Sequence, residues 1–462
     1  MRQQGRCTLP VDESHRVLDR LAGLEYVISP EAIRQALTAT GRVNSRACRL
    51  THEVMLWLVL AMGLFTHLPI RQVFKQSRRS RAGERTPCRS ALCLARQRLG
   101  VEPVQALFQQ VVHPLATHDT PGAFYRGLRR MGIDGTILDA PDSEANAAAF
   151  ARSSGGRGGG AFPQVRKVSL VELGTHVEVA FSVGGWQDDE RTLARPLWDR
   201  IPSDALLYED RGFFSYSDWK ILDSRGVKLL VRALGQLVLE PILRLSDGSY
   251  FAKLYPTHRC RTQDQRGVLV RVIAYTLDDS QRTGHGELHR LVTNLLDPAE
   301  SPAEELIVEY HQRWEHELTF DEQKTHQDPR RAEKPAHLRS ETPDGVRQEL
   351  WALSLAHFVT RSLMLQAAQP LGLDVDRLSL TGCFRILQCR LSECDASVPG
   401  PRASWLRRLL TEMEDELQPP RRNRINPRVI KRKMSHWPKK QLAHKRAPPL
   451  AKTFTQSIVL II

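Results

Sequence analysis

Residues 301–326, SPAEELIVEYHQRWEHELTFDEQKTH, place the tightest constraint on what this chain can build. Ser301 is a helix-capping residue type, Pro302 suits the first helical position, and Glu304 can reach back to complete a capping box. The pattern predicts a helix beginning at Ser301. Tyr310, Arg313, Glu317 and Lys324 then follow at offsets of three, seven and fourteen. At roughly 100° per residue they fall on a sector about 60° wide. One face would carry a phenol, a guanidinium, a carboxylate and an ammonium in a row. Leu306, Trp314 and Leu318 lie near enough to anchor that face against a core. The competing reading is a solvated stripe, common in a chain whose residues are 26% charged.

A chain of 462 residues exceeds one simple core and implies two to four structural units. Its net charge of +14 describes a protein drawn to polyanions, of which nucleic acid is the obvious one. Much of the excess is local. Arg421, Arg422, Arg424, Arg428, Lys431, Arg432, Lys433, Lys439, Lys440, Lys445 and Arg446 occur with no acid between Pro419 and Lys445. Such a tail reads as a phosphate-binding arm in preference to a solubilising tail. The eight cysteines form no CxxC pair and follow no secretory signal, which points to reduced thiols in a cytosol. His311 and His316 are five apart, against four in the zinc-protease motif, so no zinc site is predicted. The longest apolar run, from Val54 to Phe65, falls far short of the roughly 20 residues that span a bilayer.

Residues 1–124 read as helical: Ser29-Pro30 opens one helix, Thr51 precedes the apolar run, and Ser90 begins a helix closed by Gly100. A helix from Ile70, a connector carrying Arg78, Arg79, Arg81 and Arg85, and a helix bearing Arg96 and Arg98 together suggest a helix-turn-helix DNA reader. Near Arg130 the period becomes extended. Strands are predicted from Met131 to Leu138, Val165 to Leu173, His176 to Val183 and Ala205 to Tyr208. The glycine-rich join from Ser153 to Gly160 lacks a Lys-Ser/Thr pair and reads as a hairpin connection, not a phosphate cradle. A helical segment from Asp188 to Arg200 is disturbed by Pro196. Residues 221–299 are strand-rich, with runs from Lys228, Tyr250 and Gly267. Thr342-Pro343 starts a second amphipathic helix with Leu350, Leu353 and His357 at core spacing.

Three carboxylates stand at structurally parallel places: Asp134 on the first strand, Asp210 at the end of a later strand, and Glu317 on a helix able to cover the same sheet. Two-metal phosphodiester cleavage needs such a set, because ions about 4 Å apart require oxygen ligands from several carboxylates. Taken singly, Asp134-Gly135 and Asp210-Arg211-Gly212 are also ordinary turn sequences. Together, Tyr310-x2-Arg313-x3-Glu317-x6-Lys324 resembles the YREK signature of bacterial insertion-sequence transposases of the insertion element four family, which are DDE enzymes. Asp134-Gly135-Thr136 with Pro141-Asp142 and Asn146, and Asp210-Arg211-Gly212-Phe213, look like that family's first and second acidic motifs. The resemblance runs over about residues 12 to 450.

The resemblance implies an α/β fold: a ribonuclease-H-like catalytic core (125–220 and 300–400) interrupted by a mostly β insertion (221–299). A helical DNA-binding domain (1–124) would precede it, and a C-terminal helix with the basic tail (401–462) would follow. It implies Asp134, Asp210 and Glu317 as catalytic Mg²⁺ ligands, with Mn²⁺ as a substitute, and Tyr310, Arg313 and Lys324 as DNA contacts near the cleaved end. Asp139 and Asp142 are alternatives to Asp134; Glu209 should point away from Asp210 on its strand. The implied activity is cleavage of double-stranded DNA at the element's terminal inverted repeats and joining to target DNA. A homodimer would form in the synaptic complex, in the cytoplasm at the nucleoid. The rivals are a transposase-derived DNA-binding protein that no longer cleaves, and a paired-carboxylate hydrolase such as a glycosidase.

Overall fold

Period-two apolar alternation in the middle of the chain gives strands, and helical spacing on either side gives helices. The computed structural model describes residues 17–44, 48–80, 82–154, 160–280, 282, 285–327, 338–394, 399–419 and 452–461. The basic run 421–446, Arg81 and the centre of the glycine-rich join lie outside the described residues. Two compact units divide the chain: Met1–Phe124 with Asp134–Arg200 and Glu315–Gln418, and Tyr125–Ile133 with Ile201–Trp314 and Pro419–Ile462.

In the first unit most local cap signals are met, but the helix expected to begin at Ser90 starts at Arg89, with Cys88 as its cap residue and no side-chain capping bond. Ser29 Oγ accepts from the Ala32 N–H and opens Pro30–Ala39, Thr51 Oγ1 accepts from the Val54 N–H and opens His52–Leu64, and Gly100 closes Arg89–Leu99. Helix His52–Leu64 is buried from Val54 to Leu64 and packs on the long helix Pro343–Ala368, itself capped by Thr342. Gly63 permits that approach, since a Cβ there would meet the Ala352 carbonyl oxygen at 2.1 Å. Each fully buried Leu, Val or Met contributes about 1.5–3 kcal/mol, so this helix pair supplies much of the unit's core. Strands Gln164–Glu172 and Val177–Gly185 form an antiparallel pair running from Val165↔Gly185 to Glu172↔Val177. As Pro196 suggests, the following segment is a short helix, Glu190–Ala194, relayed by the 3₁₀ turn Arg195–Arg200.

The second unit holds the start of strand Leu128–Asp139 in parallel register with Ala205–Glu209, from Arg129↔Ala205 to Ile133↔Glu209. Ala205–Glu209 pairs parallel with Lys228–Arg232, after which His289–Thr293, Val268–Leu277, Tyr250–Leu254 and Leu243–Arg244 continue antiparallel. The segment 221–299 is thus strand-rich, as its composition predicts. Among the described residues no helix is long and apolar enough to cross a membrane.

The region 301–326 departs from the sequence expectation in three ways. The helix starts at Ala303 with Pro302 as its cap residue and no side-chain capping bond of its own. Its orphan Ala303 N–H is instead satisfied at 2.8 Å by Asp247 from the insertion. Asp247 also pairs with buried Arg271, which donates to the Ser301 carbonyl at 2.6 Å. Secondly, the helix is not continuous: Ala303–His311 ends, Gln312 and Arg313 turn, Trp314–Asp321 follows, and Glu322–His326 is a π turn. The four signature residues therefore do not share one ideal helical face. Thirdly, Leu306 is buried, but Trp314 and Leu318 are 41% and 37% exposed. The inward positions are polar, for reasons that the site makes plain.

Candidate active site

Asp134, Glu317 and Lys324 belong to the first unit; Asp210, Tyr310 and Arg313 belong to the second. Asp134 is half-buried, and one of its oxygens accepts from the Gly135 N–H at 2.8 Å. A Cβ at Gly135 would lie 2.9 Å from the side chain of Glu190, which pairs with Arg166, so a larger residue there would have to displace that carboxylate. Of the two alternatives to Asp134, Asp142 is engaged by Arg152 and Asp139 accepts from Gln164 at 3.2 Å. Asn146 is fully buried and donates to the carbonyls of Pro141 and Ser340, so its role is to fix the loop after the strand. Glu317 is exposed on Trp314–Asp321.

Asp210 directly follows the strand Ala205–Glu209 and is half-buried. Among the described residues its carboxylate has no hydrogen bond or ion pair. Glu209 is buried, and burial with the nearby Asp218 pushes its carboxyl up to about 8. The half-buried Tyr310 donates to the Glu209 carbonyl at 3.2 Å. Burial holds its phenol protonated well above the usual range, and the Asp210 charge adds to that. Arg313 is 9% exposed and lies 5.5 Å over the Trp314 ring. A solvated stripe would leave such a cation in water, so that interpretation fails for Arg313. Lys324 donates to Thr136 Oγ1 and, at 2.8 Å, to the Ile137 carbonyl, which ties it to the strand that carries Asp134.

Only a weak sequence signal points to the buried cluster on the inner side of the segment that carries Glu317. Glu322 accepts from His357 Nε2 at 2.9 Å and from the buried Arg361, and meets His176 Nδ1 at 2.9 Å. His176 Nε2 faces Glu315 at 3.0 Å and Asp376 at 3.4 Å, and Arg361 also reaches Asp376 at 3.3 Å. Burial disfavours every charge here. The surrounding Asp376 and Glu322 nonetheless hold the His176 imidazolium well above its ordinary range, and Arg361 and His176 hold Glu322 well below its own. His176, Glu315 and Asp376 are spaced so that a cation could fit between them. The Arg361 guanidinium already supplies positive charge there by contacting both Glu322 and His176. The one available sequence signal was weak: Glu315 and Glu322 seven apart on one helix, and His357 and Arg361 four apart within an apolar one.

The basic connector needs a correction. Arg78 is buried against Glu84 at 2.7 Å and Thr86 at 3.1 Å. Arg96 is spent on Gln348, Ser340 and the Gly345 carbonyl, with Glu349 nearby. Both arginines serve packing, because a guanidinium desolvated beside carbonyls and carboxylates is not available to DNA. Arg79, Arg85 and Arg98 remain exposed. His311 stacks on Phe454 and His316 packs on Phe320, so neither histidine is part of a metal site of its own.

Comparison with known proteins agrees with these motifs. A model described as the insertion element 4 transposase N-terminal region matches residues 18–109, and the transposase DDE domain matches residues 127–359. The transposase InsG for insertion sequence element IS4 of Escherichia coli (strain K12) is 30% identical over 424 residues, covering 90% of this chain and 93% of that protein. The chain belongs to the insertion element 4 family of DDE transposases. It is accordingly a metal-dependent enzyme of DNA cleavage and transfer. The putative transposase InsZ of the same organism is 27% identical over 200 residues, 42% of this chain and 65% of that one. The piggyBac transposase synaptic complex with hairpin DNA is similar over 88% of this transposase and 87% of that chain, at 14% identity and a TM-score of 0.47.

Proposed function

We propose that this transposase binds the terminal inverted repeats of its own element, cleaves at their ends, and joins the freed ends to target DNA. It would act as a homodimer in the synaptic complex, in the cytoplasm at the nucleoid. Asp134, Asp210 and Glu317, on a ribonuclease-H-like core, are its metal ligands. One observation supports the two aspartates, while Glu317 rests on the spacing of its motif. The parallel register of the two central strands ends at Ile133↔Glu209, and Asp134 and Asp210 are the next residue on each. Parallel strands present their following residues at the same carboxyl end, where sheets of this kind bind ligands.

The donor set suits Mg²⁺, with Mn²⁺ as a substitute, because hard cations take carboxylate oxygens and the Asp210 carboxylate has no competing partner among the described residues. Such ions, when bound, activate the attacking oxygen and stabilise the leaving one. The chain's own contribution is alignment. Lys324, fixed to Thr136 and Ile137, and Arg313, backed by Trp314, offer cations to the phosphates beside the cleaved bond. Tyr310 stays protonated, and its one O–H is held by the Glu209 carbonyl in the DNA-free protein, so a contact to DNA there would exchange that bond for one to a phosphate.

Asp134→Asn, Asp210→Asn and Glu317→Gln should each abolish cleavage of linear DNA carrying the flanking repeats, with DNA affinity nearly intact, since each removes a metal-binding charge with little change of shape. Near-normal cleavage by any one of them removes that residue from the set. Wild-type protein that binds this DNA but does not cleave it with Mg²⁺ or Mn²⁺ would favour the non-cleaving DNA-binding alternative.

A further inference from the structure

The segment that carries Glu317 and Lys324 is fastened to the first unit by polar groups where an ordinary helix would use apolar ones. Glu317, Leu318 and Asp321 are exposed and Lys324 is half-buried, while His316, Thr319, Phe320, Glu322, Gln323 and Gln327 are buried, Phe320 alone among them apolar. Resting on the transposase reading above, we propose that His176, Arg361 and Asp376 are positioning residues, which set the orientation of Glu317 and Lys324 by gripping Glu315 and Glu322 on the inner side of the same segment.

Four observations converge on this. Glu315 lies two residues before Glu317, and Glu322 lies five after it, so the grip brackets the proposed metal ligand on both sides. Glu322 begins a π turn, in which the Gln327 N–H donates to the Glu322 carbonyl at 2.8 Å. Isolated π turns are uncommon and occur often at functional sites, and this one is held by bonds from outside its own backbone. Gln323 joins buried Lys167 at 2.9 Å and Glu178 at 3.2 Å, and Gln327 donates to the Leu353 and Gly63 carbonyls. Finally, His176 holds φ at +57°, a left-handed conformation that a glycine would adopt at lower cost. A histidine kept in that turn with both ring nitrogens facing carboxylates is there for its side chain.

The physical gain from polarity is direction. An apolar seam resists separation but tolerates small rotation and sliding, whereas hydrogen bonds weaken steeply when misaligned. A bonded inner face therefore fixes the helix about its own axis, which decides where Glu317 and Lys324 point. In some proteins buried polar and ionic groups specify arrangement even where they add little stability, and that is the role proposed for this network.

Two variants test the proposal. Asp376→Asn loosens one side of His176 and Arg361 from outside the segment. The double substitution Glu322→Met with Arg361→Met removes the directional bonds but restores packing, a change that commonly preserves folding. In both, amide hydrogen exchange within residues 315–327 should accelerate by at least about tenfold in the DNA-free protein, while the rest of the unit keeps its protection. Half-saturating Mn²⁺, read by electron paramagnetic resonance, should rise by at least about threefold, and single-turnover cleavage at saturating DNA should fall by at least about tenfold. Wild-type exchange and wild-type Mn²⁺ binding in a folded variant overturn the proposal. So does an exchange increase spread evenly over the unit in step with a lowered melting temperature, which would make the network merely structural. The exchange measurement needs neither metal nor DNA. If wild-type protein failed to cleave repeat-bearing DNA, that would sink the transposase reading separately.

Discussion

Two buried ionic groups flank the break in the 301–327 segment, and they are built differently. In the second unit, Glu309 of Ala303–His311 takes a two-pronged bond from Arg130 at 2.6 and 2.8 Å and a third from Tyr208 at 3.0 Å. One cation meets one anion, and a neutral phenol satisfies the remainder. In the first unit, Glu315, Glu322 and Asp376 converge on His176 and Arg361, with His357 donating as a neutral ring. That group depends on a titratable cation, His176, for part of its balance. The contrast teaches that the two helices are held by different means: the first by one cation paired with one anion, the second by a network that relies in part on a titratable histidine.

The largest expected difference comes from removing each arginine. Arg361→Met leaves Glu322 and Asp376 desolvated around His176, and should cost about 3–5 kcal/mol of stability. Arg130→Met leaves Glu309 its Tyr208 donor, and should cost about 1.5–3 kcal/mol. Urea unfolding of both variants beside wild type would show it. Equal losses would mean that the network is no more charge-dependent than the pair.

A second test separates the groups by pH. His176 is raised in the folded chain, so its contribution is full below the unfolded value of about 6.5 and is lost as pH rises through the folded value. Glu322 is depressed, so its contribution is full above about 4.3 and is lost as pH falls through its folded value. Wild-type stability should therefore decline toward both acid and alkaline pH on this account. His176→Gln should flatten the alkaline limb and keep the acid one, whereas Arg130→Met should keep both. Urea midpoints measured from about pH 2 to 9 test both limbs, and an unchanged alkaline limb in His176→Gln would show this account to be wrong. The smallest effect belongs to Tyr310→Phe, which removes the bond to the Glu209 carbonyl and should cost about 1 kcal/mol in the melt.

Much of the fold was legible because its signals are local. Ser29, Thr51, Thr342 and Gly100 cap or close helices where the sequence places them, and the strand at Tyr250–Leu254 has the bounds its alternation implies. The family followed from the spacing of Tyr310, Arg313, Glu317 and Lys324 together with the two upstream Asp motifs. The same local logic misread the N-terminus of Ala303–His311, because its cap, Asp247, is 56 residues away in sequence. It took Trp314 and Leu318 for the buried face, because apolar periodicity assumes that the inside of a helix is apolar. It counted Arg78 and Arg96 toward DNA binding, because charge in a sequence does not say whether a partner lies beside it.

The sequence by itself determined the family and most of the order of helices and strands, and it offered the six residues proposed for the site, since cap, alternation and motif signals are each local in the chain. Only the tertiary structure decided which of the charges are spent internally. His176 meets Glu322 across 146 residues and Arg96 meets Gln348 across 252. Burial makes such distant pairings decisive, because a desolvated charge must be matched wherever in the chain its partner happens to lie.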